Sequence, residues 1–385
     1  MKLLLVGAGG YASNYIKILL NPKRSDLVWE GLVDPFYSAC QYKEQIDAAN
    51  IPVYDTMEKF YSRHTADLAI ICTPTFLHCE QSICALSYGS NVLCEKPAAP
   101  NVREVEEMLK AEKKYGRFIA IGYQWSYSDA MQKLKADILK GVLGKPEHFK
   151  TAISWPRDIA YYKRGGGWGG KIKKDGKLLL DSIASNACAH YLHNMFFLLG
   201  DTMETSASVE KVQAECYRAN EIENFDTCCI KMKTQSGTEL FFAATHAANR
   251  NRNPEFIYTF QNGKVFFAQD EGSQIVAEFH DGSKKIYGDP FENDFKKLQD
   301  CIDAVKNETV PICTAKTALP HVELIETIYK TTPIYRFSQE HIRFDHEKNA
   351  VYVHGLFENF YNAYEKGVLF SELNSEIFER NKFEI

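Results

Sequence analysis

The chain opens on an apolar run, Lys2 to Val6, that stops at Gly7-Ala8-Gly9-Gly10-Tyr11-Ala12 and continues with Tyr15, Ile16, Leu19 and Leu20 at helical spacing. Strand, glycine turn, helix is a restrictive beginning. In a G-x-G-x-x-A turn the first glycine permits the tight reversal, the second lets the backbone approach a pyrophosphate, and the small third residue keeps helix and strand close. The N–H groups opening the helix then face the phosphates. The pattern predicts a dinucleotide site on Gly7, Gly9, Gly10, Tyr11 and Ala12; a plain turn is the alternative reading.

The next hundred residues favour the site. A second apolar run, Leu27 to Val33, ends in Asp34, at the distance beyond the glycines where a carboxylate accepts hydrogen bonds from an adenosine ribose. Pro35, Phe36, Tyr37 and Ser38 come after it, with no Arg or Lys to neutralise a 2′-phosphate, so NAD is expected and NADP less so. Asp34 also fits a simple cap of the next helix. Strand-like runs recur at Leu68 to Cys72, Asn91 to Cys94 and Phe118 to Ile121, alternating with helical patterns at Phe76 to Tyr88 and Val102 to Tyr115. This alternation predicts a doubly wound parallel sheet, the Rossmann arrangement. Its ligand sits beyond the carboxyl ends of the strands, at Thr73, Pro74, Glu95, Lys96 and Tyr123.

At 385 residues the chain exceeds one comfortable core, given domains of roughly 100 to 200 residues. With 45 basic and 50 acidic side chains it carries no broad field for nucleic acid or an anionic membrane, so a small-molecule partner is expected. The first apolar run is too short for a signal or a membrane span, and the chain is read as cytoplasmic. Its 11 cysteines form no CxxC pair and read as reduced core residues, Cys228 and Cys229 pointing to opposite faces of a strand.

Several segments together resemble the glucose-fructose oxidoreductase, inositol dehydrogenase and rhizopine catabolism family (Gfo/Idh/MocA). They are Gly7 to Ala12, Cys72-Thr73-Pro74-Thr75 with His78, Glu95-Lys96-Pro97, Gly122-Tyr123-Gln124, Leu134 to Lys145 and Asp181 to Gly200. The resemblance implies a nucleotide-binding Rossmann domain at 1–123, with His78 and Gln124 joining the cofactor residues. It also implies a substrate-binding and oligomerising α+β domain at 124–385, built on a large open-faced mixed sheet. Strand-like runs agree, at Phe149 to Trp155, Ser206 to Ala219, Thr227 to Lys233, Thr238 to His246, Phe256 to Gln261, Lys264 to Ala268 and Gln274 to Phe279. Helical spacing returns at Phe291 to Lys306 and Ala315 to Lys330. An apolar sheet face without helices suggests a homo-oligomer formed through it.

The resemblance further implies that Lys96 and His190 flank a nicotinamide ring. Oxidising a secondary alcohol of a sugar, cyclitol or related polyol needs a base for the hydroxyl proton, and imidazole titrates near neutral pH. Family members often carry Asp four residues before that histidine, whereas this chain has Asn186, which cannot take the proton. Asp181 either restores the charge or caps the helix. His193 and Asn194 lie beside His190, and Trp155 to Lys171, with Trp155, Arg157, Tyr162 and Trp168, suits a carbohydrate-like ligand or else forms a mobile loop. His190, His193, Asp181 and His246 lack a second ligand pair at metal spacing, so no metal is expected. Similar proteins also include NAD-dependent redox-cycling glycosidases and sensors that bind NAD and a sugar without catalysis.

Overall fold

The computed structural model describes residues 1–21, 24, 26–293 and 295–379. It divides into two compact units, one of residues 1–124 with 295–319, the other of residues 125–294 with 320–385.

The first unit runs β1 (Lys2–Val6), α1 (Ala12–Leu19), β2 (Val28–Val33), α2 (Lys43–Ala48), β3 (Val53–Tyr54), α3 (Met57–Tyr61), β4 (Leu68–Ile71), α4 (His78–Ser87), β5 (Asn91–Cys94), α5 (Val102–Tyr115) and β6 (Ile119–Ile121). The six strands form one parallel sheet in the order β3-β2-β1-β4-β5-β6. Its central strands carry fully buried Leu, Ile and Val because helices cover both faces. The order reverses beside β1, which places the ends of β1 and β4 at a topological switch point. α5 shows why the boundaries were readable: Asn101 accepts the Glu104 N–H at its start, and Gly116 closes it with φ +62°.

The second unit runs α6 (Gln124–Tyr127), α7 (Asp129–Leu139), β7 (Pro146–Ser154), α8 (Ile159–Gly167), β8 (Lys173–Lys174), β9 (Lys177–Leu178), α9 (Ala189–Leu198), β10 (Val209–Arg218), β11 (Thr227–Thr234), β12 (Glu239–Thr245), β13 (Arg252–Phe260), β14 (Gly263–Ala268), β15 (Ile275–Phe279) and β16 (Lys284–Gly288). Then come α10 (Lys296–Asn307), which belongs to the first unit, α11 (Ala315–Thr331), β17 (Ile334–Arg336), β18 (Ile342–Asp345), β19 (Ala350–Val353) and α12 (Leu356–Lys366). The return of 295–319 to the first unit lies outside the linear division at residue 123, and the chain passes back into the second unit at Pro320 inside α11.

Nine strands form the large mixed sheet, in the order β16-β15-β14-β13-β7-β12-β11-β10-β17. One face carries the main core, where Phe149, Ile153, Cys228, Phe242 and Phe256 meet Leu192, Met195 and Phe196 of α9. The opposite face is not open throughout. Over β7 and β10 to β12 it is covered by the chain's own C-terminal stretch, Ala152, Cys229, Phe241 and Ala243 packing against Leu356, Phe360, Ala363 and Phe370. Cys228 and Cys229 point into these two different clusters, and all 11 cysteines are free. Over β13 to β16 the same face carries a cross-strand apolar row, Ile257, Phe266, Val276 and Ile286, with Ile286 67% exposed. Among the described residues no helix is long and apolar enough to cross a membrane.

Inside the first unit, Lys297 of α10 is fully buried with its Nζ 2.5 Å from Glu95 Oε1, which also accepts the Tyr15 hydroxyl at 2.7 Å. Burial is the largest influence and opposes the ammonium form, but Glu95 and Tyr11 together override it and raise the Lys297 pKa. Removing one partner strands the other charge. Lys297→Met should therefore cost about 3–5 kcal/mol of unfolding free energy in urea titrations, and Lys297→Met with Glu95→Gln should cost less than the single change.

Candidate active site

The glycine turn is built for close approach. Gly7 has φ +91°, and a Cβ there would sit 2.9 Å from the Cys72 carbonyl oxygen, so only glycine lets the ends of β1 and β4 run together. Gly9 and Gly10 instead look onto open space: a Cβ at either would meet nothing within 4 Å. α1 then starts at Tyr11 with no side-chain cap, which leaves its first N–H groups available to a ligand as far as the cap residue is concerned. A pyrophosphate fits this cradle.

Asp34 sits at the end of β2, where its Oδ2 accepts the Ala8 N–H and its Oδ1 the Phe36 N–H, both at 2.7 Å. It does not cap the short helical turn beyond it, Tyr37–Ala39, which starts at Phe36 without a side-chain cap. The carboxylate braces the glycine turn, and each oxygen keeps a lone pair for a further donor.

The ends of β4 and β5 complete this edge. Thr73 donates its hydroxyl to Gln81 Oε1 at 2.5 Å. His78 is buried with one ring nitrogen 2.8 Å from the Pro97 carbonyl oxygen and the other 2.8 Å from that of Thr73, tying the two strand ends together. Burial lowers its pKa, backbone hydrogen bonds opposing. Glu95 faces inward to Tyr15 and Lys297, while the next residue, Lys96, is partly exposed at the start of the turn closed by Pro97. Tyr123 is completely buried and Gln124 partly exposed. Sequence reading missed Lys297: it lies 202 positions from Glu95, and a lysine in an amphipathic helix gives no sign of burial.

In the second unit, α9 is preceded by a π-helical turn, Ile183–Ala187, where Cys188 N–H reaches back to Ile183 at 2.8 Å. Ser182 caps it, exchanging hydrogen bonds with Ser185, so Asp181 is not the cap. Asp181 instead accepts the Asn186 side-chain N–H on Oδ1 at 2.7 Å and the Gly170 N–H on Oδ2 at 2.6 Å, with Arg164 at 3.6 Å. Asp181 and Asn186 thus form one charged unit beside the start of α9. His190 on α9 is partly exposed. His193 and Asn194 are turned into the interior, each 1% exposed, and His193 Nε2 lies 3.2 Å from the Ser126 hydroxyl. Burial, with His321 and Lys135 nearby, holds His193 well below the usual histidine range.

The Trp155 to Lys171 segment is a built structure. Asp158 caps α8 by accepting the Tyr161 N–H, and the helix breaks at Gly165 and Gly166, which have positive φ. Arg157 and Arg164 lie over the Tyr161 ring at 4.9 and 3.7 Å, and Arg164 also covers Trp168 at 4.3 Å. Trp155 donates its indole N–H to Asn253, and Tyr162 accepts from Asn220 at 3.4 Å. His246, which sequence reading considered only as a metal ligand, is 2% exposed and donates Nδ1–H to the Trp155 carbonyl at 2.7 Å. The residues of 1–124 gather at one sheet edge and those of the second unit around α8 and α9; Lys96 belongs to the first group and His190 to the second.

Residues 1–123 match the model of an oxidoreductase family with an NAD-binding Rossmann fold. Over this segment the chain is similar to the Gfo/Idh/MocA oxidoreductases, a family described by its NAD-binding Rossmann fold. Among curated proteins it resembles a 2,7-anhydro-N-acetylneuraminate hydratase of Mediterraneibacter gnavus, 28% identical over 40% of this chain and 42% of that one. A D-glucoside 3-dehydrogenase of Escherichia coli is 26% identical over 38% and 41%. The chain thus spans about two fifths of these relatives' length. A solved structure of the WlbA dehydrogenase from Bordetella pertussis, in complex with NADH and UDP-GlcNAcA, has the same fold: TM-score 0.71, 21% identity, covering 86% of this chain and 96% of that one.

Burial, with Arg157 and Arg164 adding to it, pushes the His246 pKa from 6.5 down to about 3. The unfolded chain binds this proton near pH 6.5 and the folded chain only near pH 3, so stability should fall as pH is lowered through that window. The slope contributed is up to about 1.4 kcal/mol per pH unit, and denaturation of His246→Gln should show a shallower decline.

Proposed function

We propose that this protein is an NAD-dependent dehydrogenase acting on a secondary hydroxyl of a sugar, cyclitol or related polyol. The observation that carries this reading is the edge at which open Gly9 and Gly10, Asp34 and a partly exposed Lys96 stand together at the ends of β1, β2 and β5. Bound NAD supplies the hydride acceptor. Gly9, Gly10, Tyr11 and the start of α1 hold the pyrophosphate, Asp34 the adenosine ribose, and Thr73, Pro74 and Gln124 the nicotinamide end. Lys96 donates a hydrogen bond to the reacting oxygen, and His190 takes the hydroxyl proton. Asp181, through Asn186, supplies negative charge near the start of α9, which supports an imidazolium there. Labour is divided accordingly: the first unit serves the cofactor, and the second serves the substrate, through Trp155, Arg157, Tyr162 and Trp168.

Purified protein should reduce NAD with at least one member of a polyol panel and NADP far more weakly. Lys96→Ala and His190→Ala should each lower kcat/KM by about 10²–10⁴-fold. Undiminished turnover in both variants would remove them from these roles.

The likeness to a hydratase supports a second reading, in which oxidation of a hydroxyl acidifies the neighbouring C–H, a group is eliminated or water added, and the carbonyl is reduced again. The two readings differ in outcome, since only the dehydrogenase releases reduced cofactor into solution.

The uncovered row Ile257, Phe266, Val276 and Ile286 supports a homo-oligomer formed through the β13 to β16 half of the sheet. Light scattering should give a multiple of the 43.9 kDa chain mass, and Phe266→Glu with Ile286→Glu should reduce it to the monomer. A monomeric parent protein would overturn this assembly.

A further inference from the structure

We propose that the substrate is a sugar acid, whose carboxylate pairs with Arg157 while one of its hydroxyls donates to His246 Nε2. The inference rests on the reading that the second unit receives the sugar, and it narrows that reading to a chemical class.

Charge is unevenly compensated around α8, where two guanidinium groups flank Tyr161. Arg164 is compensated: it donates to the Tyr161 carbonyl oxygen at 2.5 Å and lies 3.6 Å from Asp181. Arg157 is not. Its side chain lies over Trp155 at 5.4 Å and Tyr161 at 4.9 Å, its Nε is buried without an acceptor, and among the described residues no carboxylate pairs with it. Aromatic faces attract a cation, but they accept none of its five in-plane N–H bonds, and a partly buried guanidinium lacking an anion is a costly arrangement for a chain to keep.

A second group in the same corner also lacks a partner. The His246 Nδ1–H is committed to the Trp155 carbonyl, which fixes the tautomer, because a carbonyl oxygen can only accept. Nε2 is therefore a lone-pair acceptor, and it is buried with no donor. The two residues are neighbours by construction: β7 and β12 are parallel and adjacent, Trp155 N–H bonds Thr245 and Arg157 N–H bonds the His246 carbonyl at 3.2 Å. The Tyr161 ring stands 5.4 Å from the imidazole, closing the corner with an aromatic edge.

The corner therefore fits one negative group, one hydroxyl donor and an apolar face between them, which a carboxylated polyol supplies within a few bonds. A carboxylate is preferred over a phosphate because only one positive charge is uncompensated.

The test uses full-length protein loaded with NAD and titrated calorimetrically with D-glucuronate, D-glucose and D-glucose 6-phosphate. Glucuronate should bind at least about tenfold more tightly than glucose, a difference of about 1.4 kcal/mol. Arg157→Met should abolish that preference, Arg157→Lys should keep part of it because it retains the charge without the planar fork, and His246→Phe should weaken both sugars. Equal binding of glucose and glucuronate, binding of neither, a preference for the phosphate, or a preference indifferent to Arg157 would each overturn the proposal. Reduction of NAD by neutral polyols would leave the dehydrogenase reading intact in that case. Loss of NAD reduction with every polyol, while glucuronate still binds through Arg157, would overturn the dehydrogenase reading alone.

Discussion

The ion pair between Lys297 and Glu95 joins three separate pieces of the chain at the strand-end edge of the first unit. Two charges removed from water are stable only if each finds the other and their remaining hydrogen-bonding capacity is used, and here the Tyr15 hydroxyl takes up part of it. Each partner belongs to a different piece of the edge. Tyr15 is on the helix after the glycine turn, Glu95 ends β5 immediately before Lys96, and Lys297 comes from α10. The pair therefore fixes helix, strand end and returning segment against one another. Gly122 belongs to the same arrangement, because a Cβ there would press within 3.0 Å of the Glu95 carboxylate. Lys297 also lies over the ring of Tyr11 at 4.5 Å, extending the contact to the mouth of the turn.

The second unit solves a different problem. A nine-stranded sheet has two wide faces to keep from water, and α9 with its neighbours covers only one. The chain's last stretch covers half of the other, with Phe360, Phe370 and Phe378 among the buried rings. The β13 to β16 half remains bare, its apolar row bordered by Lys264, Glu278 and Lys284 in mutual ion pairs. Charges flanking an apolar stripe keep an exposed sheet from sticking indiscriminately while leaving the stripe available.

Legibility in the sequence tracks the range of the interactions involved. β1, α1, β4 and α5 are set by local signals, a short continuous apolar run for each strand, helical spacing for each helix and a cap for α5, and the sequence places each within a residue or two of its observed bounds. β3 with α2 and α3 escaped because a two-residue strand and two short helices carry too little periodicity. The C-terminal stretch escaped for another reason. Its apolar residues, Leu356, Phe360 and Ala363, acquire meaning only from the sheet face they cover, which lies more than 100 positions earlier. At the site, glycines and Asp34 were readable because backbone geometry demands those residue types. Lys297, Arg164 and His246 were not, because a buried charge or a fixed tautomer is decided by partners distant in the chain.

Asn186 illustrates how a local departure becomes intelligible in three dimensions. Read along the sequence, it is an amide four residues before His190, where the resemblance implies an aspartate. In the structure its amide donates to Asp181 at 2.7 Å, across the π-helical turn that brings the two side chains together. An aspartate at 186 would set two carboxylates at hydrogen-bond distance, and like charges that close cannot both stay ionised. The amide is therefore what the neighbour permits: it uses one Asp181 oxygen as acceptor, while Gly170 N–H and Arg164 hold the other. The Asp181 carboxylate thus lies one hydrogen bond from Asn186 with Arg164 3.6 Å away, whereas among the described residues no carboxylate pairs with Arg157.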